Sequence, residues 1–451
     1  MLQQILSIAR NALVESLRQP IFLMMVLLSG VLMFFSTWST GFAMGYDESS
    51  EVTGDNKLLL DIGMATIFVM GMLLAAFIAT AVLSREIENK TVLTVVSKPV
   101  GRPTLLFGKY LGVSTAILIA VFTMLLFLMF GIRHGVMSTA ADDIDQPVML
   151  FSLSAVFLSL AIATWCNFFY GWSFPQISVL LMLPLTLVAY LVVLAISKKW
   201  AWQPIFTDFK PQVLLSAACL MIAILVLTAV AVAASTRLSQ VMTIVACAAV
   251  FLGALLVNHF VGNRAFKNQL ITVIKEAAPL QPEQADFAHA GDSYRITLGA
   301  PPAKPLKVGE PFYYGPSPSG AFLSVPTFEP FQGNLAETLS ILGPDAKPAV
   351  IITAVEKDVL TVRNLGSTPV AVKRPPFAGD YVFLTPTKVN VAALGVWAIF
   401  PNMQYFWLLD AVTQRNPIPI DHVFLIALYG LAQIVACLAL GVILFQRRDV
   451  G

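Results

Sequence analysis

Apolar residues along this chain come in long blocks rather than in short alternating runs. Stretches free of Lys, Arg, Asp and Glu cover Pro20–Trp38, Ile62–Leu83, Tyr110–Ile132, Pro147–Ser197, Pro211–Ala234, Val241–Val261 and Val423–Phe445. A bilayer core takes about 20 apolar residues per helical span. The block 147–197 is too long for one span and reads as two. The break falls in Asn167–Gln176, NFFYGWSFPQ, where Gly, Pro, Asn and interfacial aromatics cluster. The pattern therefore predicts an α-helical polytopic membrane protein of eight spans. Six is the competing count if part of 147–197 is re-entrant.

Two segments follow other periods. Leu2, Ile5, Leu6, Ala9, Leu13 and Leu17 recur at helical spacing, with Gln3, Ser7, Asn11, Glu15 and Arg18 elsewhere. Residues 1–19 thus predict an amphipathic helix in the membrane interface rather than a signal peptide. Residues 262–390 break the apolar pattern with 12 Lys/Arg and 11 Asp/Glu. β-like runs appear there at Tyr294–Leu298, Val350–Val355, Val359–Arg363, Val370–Val372 and Tyr381–Leu384, separated by Gly and Pro turns. They predict an inserted β-rich domain before the last span, a barrel being one arrangement open to it. Val391–Asp410 is apolar again but carries Pro401 and Asn402, so 391–422 reads as an interfacial or re-entrant segment. The transmembrane domain is then 20–261, with a last helix and tail at 423–451.

Composition agrees with this division. The 451 residues are 57% hydrophobic and 12% charged, about half the charge of a soluble domain. An ordinary soluble enzyme and a disordered chain are both excluded. The net charge of +2 points to no nucleic acid. All four Cys lie inside apolar runs, which leaves no disulfide framework or thiolate zinc site to read. With the N-terminus inside, ten Lys/Arg flank the inner span ends and five (Lys57, Arg133, Lys198, Lys199, Lys210) the short outer loops. Both termini are therefore expected in the cytoplasm and 262–390 outside it, in a multi-pass protein of the plasma (inner) membrane.

Enzyme motifs are missing from the sequence. There is no HExxH, GxSxG or GxGxxG, and the run from Gly101 to Tyr110 is too long and too stiff for a phosphate loop. Asp61 and Lys109 open their spans near an interface, where long side chains snorkel. No mid-span acidic pair of the kind a proton-coupled carrier uses is visible.

The chemistry concentrates in the loop 84–104. It carries Arg85, Glu86, Glu88, Lys90, Lys98 and Arg102, with Thr91–Val96 as an apolar contact surface and Pro99 as a stop. Glu86 and Lys90 stand i,i+4 in the favourable order for a helix. A short helix of this kind suits docking into a cleft on a cytoplasmic partner; the plainer alternative is a solvated loop.

Glu86-x-Glu88-x-x-Thr91, then Ser97-Lys98-Pro99-Val100-x-Arg102, then Gly108-Lys109, resembles the permease subunits of the type-2 ABC exporter superfamily, in the branch of multi-copper enzyme maturation. Where that family often has Gly before the Thr, this chain has Lys90. The N-terminal helix, Ile399–Asp410 and the ending Phe445-Gln-Arg-Arg-Asp449 also resemble family features. The resemblance implies that residues 84–102 form a coupling helix, with Arg85, Glu86, Glu88, Lys90, Thr91, Leu93, Lys98, Pro99 and Arg102 at an ATPase contact. It implies cytoplasmic ABC ATPase subunits carrying the ATP and magnesium, a second permease copy, and no cofactor or catalysis on this chain. The other class considered is a membrane scaffold or sensor whose external domain binds a ligand without transport. An embedded enzyme ranks third, for want of a convergent polar triad.

Overall fold

A computed structural model describes residues 2–39, 51–84, 101–137, 144–281, 286–329 except 288 and 290, 349–365, 372–413 and 418–446. The helices are α1 (Leu2–Leu17), α2 (Pro20–Ser39), α3 (Glu51–Ala79, ending in a π turn Thr80–Ser84), α4 (Arg102–His134), α5 (Gln146–Tyr170), α6 (Phe174–Ala195), α7 (Pro211–Ser235), α8 (Gln240–Val257), α9 (Val391–Ile399), α10 (Leu409–Thr413) and α11 (Ile420–Gln446). Among the described residues eight helices are long and apolar enough to cross a membrane, as the hydropathy pattern predicts. The long apolar block splits where its turn residues stand. Gly171 ends α5 with φ +65°, a left-handed cap that glycine adopts without a Cβ clash, and Pro175 opens α6 in its first turn.

Contacts divide the chain into two units, Met1–Leu255 with Asn402–Gly451, and Leu256–Pro401. In the first unit α4 is central. It packs on α1, α2, α3, α6 and α7, and it buries apolar and polar residues along its whole length. At 1.5 Å per residue, Arg102 and Arg133 lie about 46 Å apart along it, enough to cross a bilayer core.

The second unit holds strands β1 (Phe266–Lys267), β2 (Thr272–Pro279), β3 (Ser293–Leu298), β4 (Tyr313–Gly315), β5 (Ala349–Glu356), β6 (Val359–Leu365), β7 (Tyr381–Phe383) and β8 (Lys388–Val389). The main sheet is antiparallel in the order β4-β7-β2-β3-β6-β5. The chain entering β4 closes it: Gly309 and Phe312 donate backbone hydrogen bonds to Ile352 and Val350 of β5, and Ile352 donates back to Glu310. Joining the edges removes exposed strand donors, so the sheet is a six-stranded barrel. Alternation fills it. Leu360 and Val362 of β6, Ile296 and Leu298 of β3, and Val350 and Ile352 of β5 point inward with Phe312 and Tyr314. β1 and β8 pair antiparallel where the chain enters and leaves the barrel, and Trp397 of α9 stands edge-on to Phe266. Of the β runs read from sequence, four are strands; of the fifth, residues 370–371 lie outside the described residues, and Val372 is in no strand.

The barrel's own core predicts that residues 264–388 expressed alone are soluble and give a β-type circular dichroism spectrum. It also predicts an alkaline limit. Burial raises Tyr314, Tyr313 and Tyr294 above the ordinary tyrosine value of 10.0, Tyr314 the most. Below pH 10 these phenols are neutral in both folded and unfolded chains, so stability is full. Above it the unfolded chain ionises first, and stability falls as pH rises toward the folded values. Melting at pH 9 to 12 checks this. Tyr314→Phe should make the alkaline loss shallower, the other two tyrosines retaining part of it.

Candidate functional site

Two ends of the helical unit carry its polar chemistry, and α4 joins them. The sequence points to the first. There α3 finishes in its π turn, α4 begins behind the extended cap residue Gly101, and residues 85–100 run between them. Arg85, Glu86, Glu88, Lys90, Thr91, Leu93, Lys98 and Pro99 all lie outside the described residues. Arg102 is described. Its Nη1 donates to the Phe445 carbonyl (3.1 Å) and the Gln446 carbonyl (2.8 Å), and the guanidinium lies 5.5 Å from the Phe445 ring centre. Arg237, just past α7, donates from Nε to the Leu444 carbonyl at 2.8 Å. The last carbonyls of a helix lack partners within the helix and carry the negative end of its dipole. Two arginines thus cap α11 and tie its end to the start of α4 and the end of α7.

The other side of this platform is α1. Gly108 and Gly112 of α4 face it at a spacing of four. A Cβ on Gly108 would come within 2.8 Å of Ile8 Cγ2, and one on Gly112 within 2.3 Å of the Ala9 carbonyl oxygen. Between these glycines Lys109, 5% exposed, reaches Glu15 Oε2 of α1 at 3.6 Å and the Val82 carbonyl of the α3 end at 3.4 Å. Sequence alone placed Lys109 at an interface; here it links α1, α3 and α4. Arg18 adds a hydrogen bond to Gln176 at the start of α6 (3.0 Å). The residues on either side of 85–100 are therefore fastened to the same group of helix ends, α1, α3, α4, α7 and α11.

The close approach makes a specific prediction. Gly112→Val forces α1 away from α4 and should cost about 1–3 kcal/mol, as overpacking does. The loss is read as a lower melting temperature in detergent. Gly131→Ala on the same helix is the control, since its Cβ would meet nothing nearer than Thr37 Cγ2 at 3.8 Å.

The opposite end holds a cluster that reading the sequence missed. Arg133, its side chain 6% exposed, pairs with Asp145 Oδ2 at 2.8 Å and Asp208 Oδ2 at 3.0 Å, and it donates to the Ile196 carbonyl at 3.2 Å. Asp145 is fully buried and caps α5, its Oδ1 accepting from the Val148 amide at 3.3 Å. Gln203 donates to Asp208 at 2.6 Å and to the Leu194 carbonyl at 3.1 Å. One guanidinium thus fixes α4, α5, the end of α6 and the approach to α7. The available signal was Asp145-Gln146-Pro147, an N-cap acid followed by a first-turn proline. Counting Arg133 as a loop anchor hid it.

The sum of these contacts is a bundle with tied helix ends at one end and a buried ionic knot at the other, joined by one long helix. Two comparisons return nothing: no curated protein and no solved structure matches the chain. A family model does match, over residues 6–166, which run from α1 through the 84–104 loop and α4 into α5. That family is described as ABC-2 family transporter protein, and over this third of its length the chain, a polytopic helical membrane protein with an inserted β-rich domain, is similar to it.

Proposed function

We propose that this chain is the membrane permease subunit of an ATP-driven ABC exporter, working with separate cytoplasmic ATPase subunits and a second permease copy. The observation that carries the reading is the match over 6–166, because it encloses the charged loop between α3 and α4. The branch we assign is that of multi-copper enzyme maturation permeases, on Glu86-x-Glu88-x-x-Thr91 and Ser97-Lys98-Pro99.

In this reading ATP closes the ATPase dimer, and residues 84–102 receive that movement. Glu86 and Glu88 pair with basic groups on the ATPase, and Thr91 and Leu93 seat the helix in its cleft. Arg102 and Lys109 pass the displacement to α11, α1, α3 and α4. A conformational change needs contacts that differ between the two states, and this loop is where such contacts are made. Both termini are cytoplasmic and the barrel is extracytoplasmic, which the uneven Lys/Arg distribution supports. The barrel guides substrate or binds an envelope partner.

Orientation is tested in whole cells with an impermeant thiol reagent. Ser317→Cys in the barrel unit should label and Gly101→Cys at the start of α4 should not. Labelling at Gly101 alone, or equal labelling at both, contradicts the arrangement. Coupling is tested by the charge reversals and the purification described in the Discussion.

A further inference from the structure

Two cavities meet at His134, at the end of α4 away from Arg102. One, of about 290 Å3, is an apolar crevice where α2 and α5 flank α4. Leu27, Phe34, Phe127, Phe130 and Val156 line it. The other, of about 460 Å3, is polar. Lys57, Lys198 and Lys210 line it beside Arg133 and Asp208. His134 lines both.

Charge in the polar cavity is unbalanced. Arg133 is matched by Asp145 and Asp208. Lys57 and Lys210 have no ion-pair partner among the described residues, and Lys198 spends one donor on the His134 carbonyl at 3.1 Å. His134 is 6% exposed. Its Nδ1 donates to the Gly135 carbonyl at 3.0 Å, and its Nε2 is buried with no protein partner among the described residues. In the neutral ring that Nε2 is an acceptor, suited to a hydroxyl. A buried polar atom without a partner is costly, so a group that supplies one is favoured there.

We propose that these cavities form one binding site for an anionic amphiphile, with an acyl chain in the crevice, a phosphate-type anion among Lys57, Lys198 and Lys210, and a headgroup hydroxyl on His134. Apolar chain and anionic head meet apolar wall and cationic wall in the same order. The site stands independently of the exporter reading, and its test uses the chain without an ATPase, so each fails separately.

The purified full chain is incubated in mixed micelles of phosphatidylglycerol and phosphatidylcholine with matched acyl chains, re-isolated, and its bound lipid quantified. Phosphatidylglycerol should be enriched about five-fold or more over the micelle ratio, the scale expected of lysines near an anionic headgroup. The triple variant Lys57→Gln/Lys198→Gln/Lys210→Gln alters exposed side chains and should bind both lipids at the micelle ratio. Gly131→Leu, which projects into the crevice, should retain neither lipid above background, and Ser152→Phe repeats the block should the first variant aggregate. Glycerol phosphate, a headgroup without chains, should fail to displace the lipid. Equal binding of the two lipids by the native chain, a preference that survives the triple variant, retention in both crevice variants, or displacement by glycerol phosphate would each overturn the site.

Discussion

Replacing Arg133 by methionine should lower stability by about 3–5 kcal/mol, the usual cost of removing one partner of a buried ion pair. The loss comes less from the missing attraction than from what stays behind. Asp145 is fully buried and would hold its charge with only the Val148 amide to compensate it, while Asp208 would keep Gln203. Four helical elements meet at this guanidinium, so the expected result is an early thermal transition of the whole helical unit in detergent. Asp145→Asn in the same background removes the stranded charge and should recover part of the loss. It keeps an oxygen able to accept from Val148. A melting curve for Arg133→Met within about 1 kcal/mol of the native chain would mean that the cluster is solvated and that this end of α4 is held by apolar packing alone.

A second large effect is expected at the other end of α4. If Glu86 and Glu88 contact an ATPase as proposed, Glu86→Lys with Glu88→Lys replaces two attractions by two repulsions. Like charges desolvated at an interface cost several kcal/mol, against about 1.4 kcal/mol per tenfold change in affinity. The double variant should insert normally yet lose ATPase co-purification or substrate-stimulated hydrolysis, at equal membrane abundance. The paired reversal Asp142→Lys with Asp143→Lys, between α4 and α5 in sequence, should leave both intact. Full assembly and stimulated hydrolysis in the Glu86/Glu88 variant would remove this loop from the coupling path.

The spans were legible in the sequence because a helix that faces lipid must be apolar for its whole length. Even the division of 147–197 was readable, since Gly171 and Pro175 mark a cap and a helix start. The α3 boundary was less so. The helix begins at Glu51, well before the apolar block at Ile62, because charged residues do not stop a helix that has left the bilayer. In the barrel, β3, β5, β6 and β7 declared themselves by alternation or β-branched runs. β2 did not, since Lys275-Glu276 and a register shift between Ile274 and Glu276 interrupt its pattern. Nor did β4, three residues long and buried throughout. Closure through Gly309–Phe312 is a pairing across about forty residues of sequence, and no local signal specifies it. The same reason hid the ionic cluster. Arg133 ends α4, Asp145 caps α5 and Asp208 precedes α7, and each alone reads as an ordinary charge near a loop. Of the candidate coupling residues only Arg102 can be followed into the structure, where it caps α11.

As proposed, this chain is the membrane half of a machine whose ATPase is a separate subunit. Its most direct test is affinity purification of the intact chain from its native membrane in mild detergent, with partner identification and ATP hydrolysis measured on the eluate. A co-purifying subunit with nucleotide-binding motifs is expected, with hydrolysis that disappears when the Glu86/Glu88 variant is the bait. A chain that purifies without any ATPase, or with a kinase or regulator and no sustained hydrolysis, would contradict it.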